Sequence, residues 1–535
     1  MAGKIAFTVV SFDLRDEMRL PSAASTLAHK VLAEEPASER NRFLGLKFFR
    51  FNQAPHAPLL ATMSDSSRSN AQATAARHKA DLLRSLRISI VEGIVAMPIV
   101  TMSLPVNVFM TALVAKAFVL SKAMIGLVSA LPFVGNFLQL AIASTVARRR
   151  PAKSITVAFA TLHLVSWIAF GFMLPWLPRD DPHRAGWIIF WWFLISSFLS
   201  AVGGVSWNAW MQELVPERLR GKYFGRRNAI LQVAVLAFML TAGWALARWE
   251  YAIPAFQAIV FGSCFLRVFS IYGLWVSPTR ARREATAPRL PLAEQFRALR
   301  EAKSLHAFIV FGAIWACAAN AFGPFYHVFM FEQLRYSAFE VSVFTTLSQL
   351  GGALSMPAWG QLLDRHGNRP VMAVSLALWQ LNNLAWCFVT PENRAWLYPI
   401  WTVAGVTSAG FVLGQFTLLL RVIPLEARNL AMGLYQAVVS LVAGLAPVAG
   451  GWLLGRQLAG DSDALPVYHG SFLLQPVLAL LGCFLLLRVH ERQASPLTMV
   501  LGAMRNIRTL GGVLGLGFLV NYVFFKPATR GRPPR

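Results

Sequence analysis

Charged residues are scarce in this chain of 535 residues: Asp, Glu, Lys and Arg together make up 14%, against roughly 25% in ordinary soluble proteins. Acidic residues are the scarcer sign, 25 against 50 Lys and Arg, which leaves a formal charge of +25. Cysteine is limited to Cys264, Cys317, Cys387 and Cys483, all inside apolar runs. They read as small apolar packers, which excludes a secreted disulfide scaffold and fixes no redox compartment. The spacings C-x-x-C and H-E-x-x-H are missing, so no metal centre is expected. A phosphate-cradling glycine loop ending in Lys and Ser or Thr is missing too, so ATP is not the expected energy source and no cofactor is implied. No soluble catalytic constellation stands out, and the chain does not read as an enzyme.

What the chain has is hydrophobicity, 56% of residues with a mean hydropathy of +0.50. A bilayer core of roughly 30 Å needs about 20 apolar residues in a helix. Twelve near-chargeless runs meet that need: 88–115, 123–146, 154–176, 186–211, 228–248, 254–277, 306–331, 339–363, 370–390, 396–423, 429–455 and 470–489. Barrel strands would instead be alternating segments near ten residues long. The basic residues lie between the long runs and do not interleave with polar positions, which argues against a nucleic-acid partner. The partner is the lipid bilayer.

Orientation follows from the charges in the loops, because cytoplasmic loops collect Lys and Arg. With both termini inside, the five inner loops hold twenty basic residues, Arg148, Arg220, Arg227 and Arg428 among them, and the six outer connections hold eight, including Lys122, Arg335 and Arg394. Both termini are therefore predicted to be cytoplasmic. Residues 1–87 read as a cytoplasmic extension, partly disordered. Within it, residues 1–62 mix eight basic with six acidic residues, residues 63–76 look like a linker, and Met63 offers a second candidate start. Residues 88–277 form the first six-span unit, 278–305 a cytoplasmic connector and 306–489 the second six-span unit. A basic cytoplasmic tail follows at 490–535.

An internal repeat relates the two units. Pro216, Arg220 and Gly225 recur as Pro424, Arg428 and Gly433, each displaced by 208 residues. LPFVGNFLQLAIASTVARRRPAKSI aligns without gaps to LSQLGGALSMPAWGQLLDRHGNRPV at a displacement of 216, matching Leu131 with Leu347, Gly135 with Gly351 and Lys153 with Arg369. Within the second copy, Gly360, Asp364, Arg365, Gly367 and Arg369 fit G-x-x-x-D-R-x-G-x-R. With the twelve runs and MQELVPERLRGKYFGRRNAI at 211–230, this pattern resembles the major facilitator superfamily of secondary transporters over about 88–490. The resemblance implies an all-α polytopic membrane protein of twelve transmembrane helices in two pseudo-symmetric six-helix bundles. In that family the acidic residue of the loop signature latches the inner face. The first copy places Arg148 where Asp364 stands and Pro151 where Gly367 stands, so the acidic latch is expected only in the second unit.

Two further segments look amphipathic or interfacial. LAEQFRALREA at 292–302 sets Leu292, Phe296 and Leu299 on one helical face, and Pro291 and Arg300 recur as Pro496 and Arg505 after the last span. Residues 509–525 carry no charge and read either as an interfacial or re-entrant helix or as a thirteenth crossing.

Charges inside a membrane are functional candidates by default. Glu92 lies in the first turns of span 1, and Arg267 sits midway along span 6. Proton or ion coupling and a helix-end structural role both remain open for Glu92. For Arg267 the choice is between contact with a substrate carboxylate or phosphate, a charge relay with Glu92, and a structural pair. His163 and His327 titrate near neutral pH, or else serve as hydrogen-bonded structure. The cavity-lining helices implied by the resemblance bring forward Asn208, Asn320, Tyr326, His327 and Gln415 as substrate contacts. In span 7, Gly323 and Pro324 predict a helix break, beside a gate of Phe325, Tyr326 and Phe329.

The resemblance implies a monomeric permease in the bacterial inner membrane that moves a small molecule by alternating access, coupled to protons as symporter or antiporter. A flippase for lipids or lipid-linked substrates on the same fold stays open, and so, behind it, does a membrane-embedded enzyme or sensor.

Overall fold

The computed structural model describes residues 65–104, 106–146, 151–215, 217–277, 291–424, 427–460, 463–491, 494–506 and 513. Residues 1–62 and Arg148 lie outside them, as does 509–525 apart from residue 513. The chain divides into two compact units, 1–87 and 88–535. Of the first, the described part is the beginning of helix α1 (Asp65–Met102), so residues 65–76 are helical where a linker was expected.

All regular structure among the described residues is helical. After α1 come α2 (Val108–Ala112, continued by a π turn Leu113–Ala117), α3 (Lys122–Val146), α4 (Ala152–Met173), α5 (Pro182–Leu214), α6 (Glu217–Arg248) and α7 (Ile253–Val276). The connector forms α8 (Leu292–Glu301). The second half follows as α9 (Lys303–Ala321), α10 (Gly323–Glu332), α11 (Ala338–His366), α12 (Asn368–Asn383), α13 (Leu397–Val422), α14 (Arg428–Leu458) and α15 (Ala464–Arg488), with α16 (Leu497–Met504) beyond it. Among the described residues, ten helical segments are long and apolar enough to cross a membrane; α11 is not among them, and the described part of α3 counts only as a shorter apolar helix, 122–137.

Span 1 was expected as one run, 88–115. Instead α1 ends at Met102 and α2 begins at Val108. Asn107 makes this break tenable: its side-chain oxygen accepts from the Met110 N–H (2.8 Å), and its amide donates to the carbonyls of Met102 (3.1 Å) and Leu104 (2.9 Å). Groups freed at two helix ends are thus satisfied by one side chain. Displaced by 216 residues, positions 106–107 correspond to 322–323, where α9 gives way to α10 as Gly323 and Pro324 predicted. Both halves carry the same interruption.

The helix contacts repeat in the same way. In the first half α3 packs on α5, and α4 on α5 and α7; in the second α11 packs on α13, and α12 on α13 and α15. The repeated glycines account for part of this. A Cβ on Gly135 would lie 2.9 Å from the Ser197 carbonyl of α5, and one on Gly351 2.8 Å from the Thr402 carbonyl of α13, so both crossings require backbone contact that only glycine allows. The halves join through exchanged partners, α3 with α14 and α6 with α11. A buried core that includes Phe109, Ile125, Phe256, Phe325, Phe329, Val341 and Leu454 runs across this junction.

The connector and tail helices start alike. Pro291 caps α8 and Pro496 caps α16, both in an extended conformation. In α8 Leu299 is buried in the second half's core while Phe296 is exposed, so the expected common face divides.

Candidate functional site

The first half holds a cavity of about 220 Å³ whose charged and titratable lining groups come from four helices. α1 supplies Glu92, α6 Arg227, α7 Arg267 and α4 His163. In α7, Arg267, Ser270 and Gly273 follow at three-residue steps and so share a face. Arg267 Nη1 donates to Ser270 Oγ (2.8 Å), and the Ser270 hydroxyl donates to Glu92 Oε1 (2.9 Å). Gly273 leaves room for Glu92: a Cβ there would stand 3.3 Å from that of Glu92.

Two guanidiniums flank this one carboxylate. Arg267 Nη1 is 3.7 Å from Glu92 Oε1, and Arg227 Nη2 is 3.7 Å from Oε2. Arg227 stacks on Trp207 at 4.4 Å and donates from Nε to the Ser89 carbonyl at 3.3 Å. Glu92 Oε2 and Arg267 Nε are buried with no hydrogen-bond partner among the described residues. Arg227 was counted among the inner-loop charges; it is 6% exposed, because α6 begins a dozen residues before the expected span and its first turns carry the arginine under α1. Only its place next to the apolar run starting at 228 hinted at this.

His163 is buried behind the cavity. Trp167 Nε1–H donates to its Nε2 (3.0 Å), and Ser103 Oγ lies 3.2 Å from the same atom. An Nε2 that accepts from Trp167 carries no proton, so this geometry describes a neutral, structurally bonded ring.

A second cavity, of about 320 Å³, is lined by the second half and by Val106 from the α1–α2 break, with aromatics Tyr326, Trp379, Trp386 and Trp401 in its wall. Tyr326 stacks on Phe472 (4.2 Å), and His327 lies parallel to Trp401 (6.0 Å). Tyr326 OH, His327 Nδ1 and Trp401 Nε1 are buried without hydrogen-bond partners among the described residues. Phe325 and Phe329 of the expected gate are fully buried. The other expected contacts line neither cavity. Asn208 is exposed, Asn320 donates back to the Ala316 carbonyl (2.8 Å), and Gln415 donates to Tyr435 OH (3.0 Å).

At the end of the second half near the loop signature, Gly367 adopts φ +89°, the tight reversal its place in the motif implied. Asp364, expected as the acidic latch, is exposed and makes no hydrogen bond or ion pair among the described residues. Glu491 occupies the acidic position instead. It accepts from the backbone N–H of Asn368 (3.0 Å) and Arg369 (2.7 Å), from Asn368 Nδ2 (2.8 Å) and from Arg421 Nη1 (2.7 Å). Coming from beyond α15, it caps the N-terminus of α12, where a carboxylate meets both free N–H groups and the helix dipole. Arg369 also donates to the carbonyls of Leu487 and Val489 at the end of α15. Its repeat partner Lys153 does the same to Trp275 and Ser277 at the end of α7. Of the other loop residues, Gly360 lies within α11 and Arg365 in its last, exposed turn. Arg220 donates to the carbonyls of Gln212 and Val215 at the end of α5, and Arg428 opens α14 exposed.

The opposite end carries a clasp between the halves. Lys122 Nζ donates to both oxygens of Glu332 (2.5 and 2.6 Å), and Tyr468 OH donates to Glu332 Oε2 (3.1 Å). Nearby, the Ala338 N–H donates to Tyr251 OH (3.0 Å). Burial pushes the Tyr251 phenol above its ordinary range, so it stays a neutral hydroxyl there.

Comparison with known proteins agrees with this architecture. The family model of the Major Facilitator Superfamily matches residues 314–526. The tetracycline resistance protein, class C, of Escherichia coli is 36% identical over 166 residues, 30% of this chain; the matched part spans 39% of that relative's length. Among solved structures, the nucleoside transporter NupG superposes with a TM-score of 0.56 at 16% identity, over 76% of this chain and 98% of that one. A D-xylose-proton symporter gives 0.57 at 14% identity, over 77% and 100%. The second half of the chain is thus similar to the Major Facilitator Superfamily model, and the fold of these solved transporters is shared across both halves.

Proposed function

We propose that this protein is a secondary active transporter that carries a small solute across the bacterial inner membrane by alternating access, with its two halves rocking about the cavities they enclose. The observation that carries this reading is the exchanged junction. Repeat-related helices α3 with α14 and α6 with α11 meet across the halves, and the Lys122–Glu332–Tyr468 clasp ties one end. Two equivalent rigid bodies joined in this way can rock, and the clasped end is the extracytoplasmic one if both termini are cytoplasmic. On this reading α3 and α11, related by the repeat and packed at the centre of the junction, complete twelve crossings. The protein works as a monomer.

The driving force is the proton gradient, and Glu92 exchanges the proton, being the buried acid of the first cavity. A structural relative named as a D-xylose-proton symporter supports this coupling. In proteoliposomes, one member of a panel of labelled pentoses, nucleosides, tetracycline and small monocarboxylates is expected to move with an imposed pH gradient. Glu92→Gln should abolish accumulation while leaving counterflow exchange. Flux untouched by collapse of the gradient removes proton coupling, and no flux of any member removes the transporter reading for these classes.

A further inference from the structure

We infer that the first cavity is an anion site, and that the solute docks there through one carboxylate or phosphate group held between Arg227 and Arg267. Charge counting comes first. The cavity is lined by two guanidiniums and a single carboxylate, Glu92, so with Glu92 ionised one positive charge stays unbalanced in a buried site. An uncompensated buried charge is strongly unfavourable, and one monoanion brings the count to zero.

Hydrogen-bond geometry points the same way. Both Arg–Glu92 separations are 3.7 Å, beyond the range of a charge-assisted hydrogen bond, so neither arginine is saturated by Glu92. Arg267 Nε has no hydrogen-bond partner among the described residues. Arg227 is held flat by Trp207 and tied at Nε to Ser89. The rest of the wall is apolar or small, with Met97, Val100, Phe159 and Gly204 among its residues. A ligand with one anionic head and a compact apolar or aromatic body fits that division.

This inference deepens the transporter reading by naming the substrate class, and rests on that reading only for the claim that the bound anion is cargo. It also gives the coupling a physical form. The charged and titratable groups around Glu92 are Arg227 and Tyr223 from α6, Arg267 from α7 and, deeper, His163 from α4. Protonation of Glu92 raises the unbalanced charge from one to two, which a monoanion reduces and a phosphate dianion cancels, so proton and anion bind with positive linkage, as symport requires.

The test is a binding measurement that needs no transport. Purified full-length protein is melted with benzoate, with its neutral isostere benzamide, and with methyl phosphate. Benzoate or methyl phosphate should raise the melting temperature by about 2 °C or more at saturating concentration, while benzamide should not. Arg227→Gln and Arg267→Gln should each abolish the rise, and Glu92→Gln, which mimics the protonated acid, should enlarge it. If the arginine variants fail to fold, Gly204→Leu decides. A Cβ there meets nothing within 4 Å, so the new side chain fills the cavity without displacing a neighbour and should remove the rise with both arginines intact. The proposal falls if neither anion raises the wild-type melting temperature, if benzamide matches benzoate, or if the rise survives in Gly204→Leu or in both arginine variants. A positive binding result with no flux in proteoliposomes would overturn the transporter reading and leave the anion site standing.

Discussion

Glu491 and Arg421 form an ion pair at 2.7 Å, yet the two side chains should differ in what their loss does. The Glu491 side chain is 2% exposed and also holds two backbone N–H groups and the Asn368 amide, whereas Arg421 is 52% exposed. Removing the acid strands buried donors at the start of α12; removing the base leaves a carboxylate that keeps three other donors. Glu491→Ala should therefore cost about 1.5–3 kcal/mol, and Arg421→Ala under about 1 kcal/mol, as for an exposed pair. Melting of the two purified variants separates them, and equal losses would show that the ion pair, not the cap, is what matters. The sequence made part of this residue-scale picture legible. Glu92 and Arg267 stood out because charge is rare inside spans, and Gly367 because its motif requires a reversal. Arg227, Ser270 and Glu491 did not, since their partners lie 138, 178 and 123 residues away, and no local pattern encodes such a meeting.

The paired helix breaks are the features at the element scale that the sequence disclosed least evenly. Gly323 and Pro324 announce the second break through a ring that cannot continue the hydrogen-bond ladder. The first was hidden inside an unbroken apolar run, although Pro105 two residues before Asn107 was a readable signal. What composition could not convey is that Asn107 spends its whole amide on the interruption, one acceptor for α2 and two donors for the carbonyls at and beyond the end of α1. Loss of an N-cap is worth about 1 kcal/mol, and two further carbonyls lose a donor. Asn107→Ala should lower stability by roughly 1–2 kcal/mol and speed hydrogen exchange at residues 108–112 above that elsewhere in the first half. Exchange unchanged at those amides would mean that the surrounding core, not Asn107, holds α2 in place. Asn107→Asp, which keeps the acceptor and loses the donors, should restore slow exchange only in part.

At the scale of the molecule, the repeat and the long apolar runs made two matched halves legible, including the correspondence of Gly135 with Gly351. How the halves meet was not legible. Lys122 and Glu332 are 210 residues apart, and in the sequence Lys122 was one of eight outer charges with no assigned partner. Their pairing, with side chains 16% and 25% exposed, lies between a surface and a buried salt bridge, and its net worth is about 1 kcal/mol. If the halves rock, that energy acts on the balance between states clasped and unclasped at this end, and 1 kcal/mol corresponds to roughly a five-fold change in their ratio. Spin labels at Val119→Cys and Trp396→Cys, both exposed positions, in a background lacking the four native cysteines, report the separation of the halves there. Lys122→Ala should add a longer-distance population, and Glu332→Gln should do the same by removing the charge while keeping an acceptor for Tyr468. The exchange Lys122→Glu with Glu332→Lys should restore the short distance in part, because the pair is rebuilt but the reversed charge no longer accepts from Tyr468. A single unchanged distance distribution in all three variants would mean that the apolar junction alone holds this end shut, and the clasp would lose its part in gating.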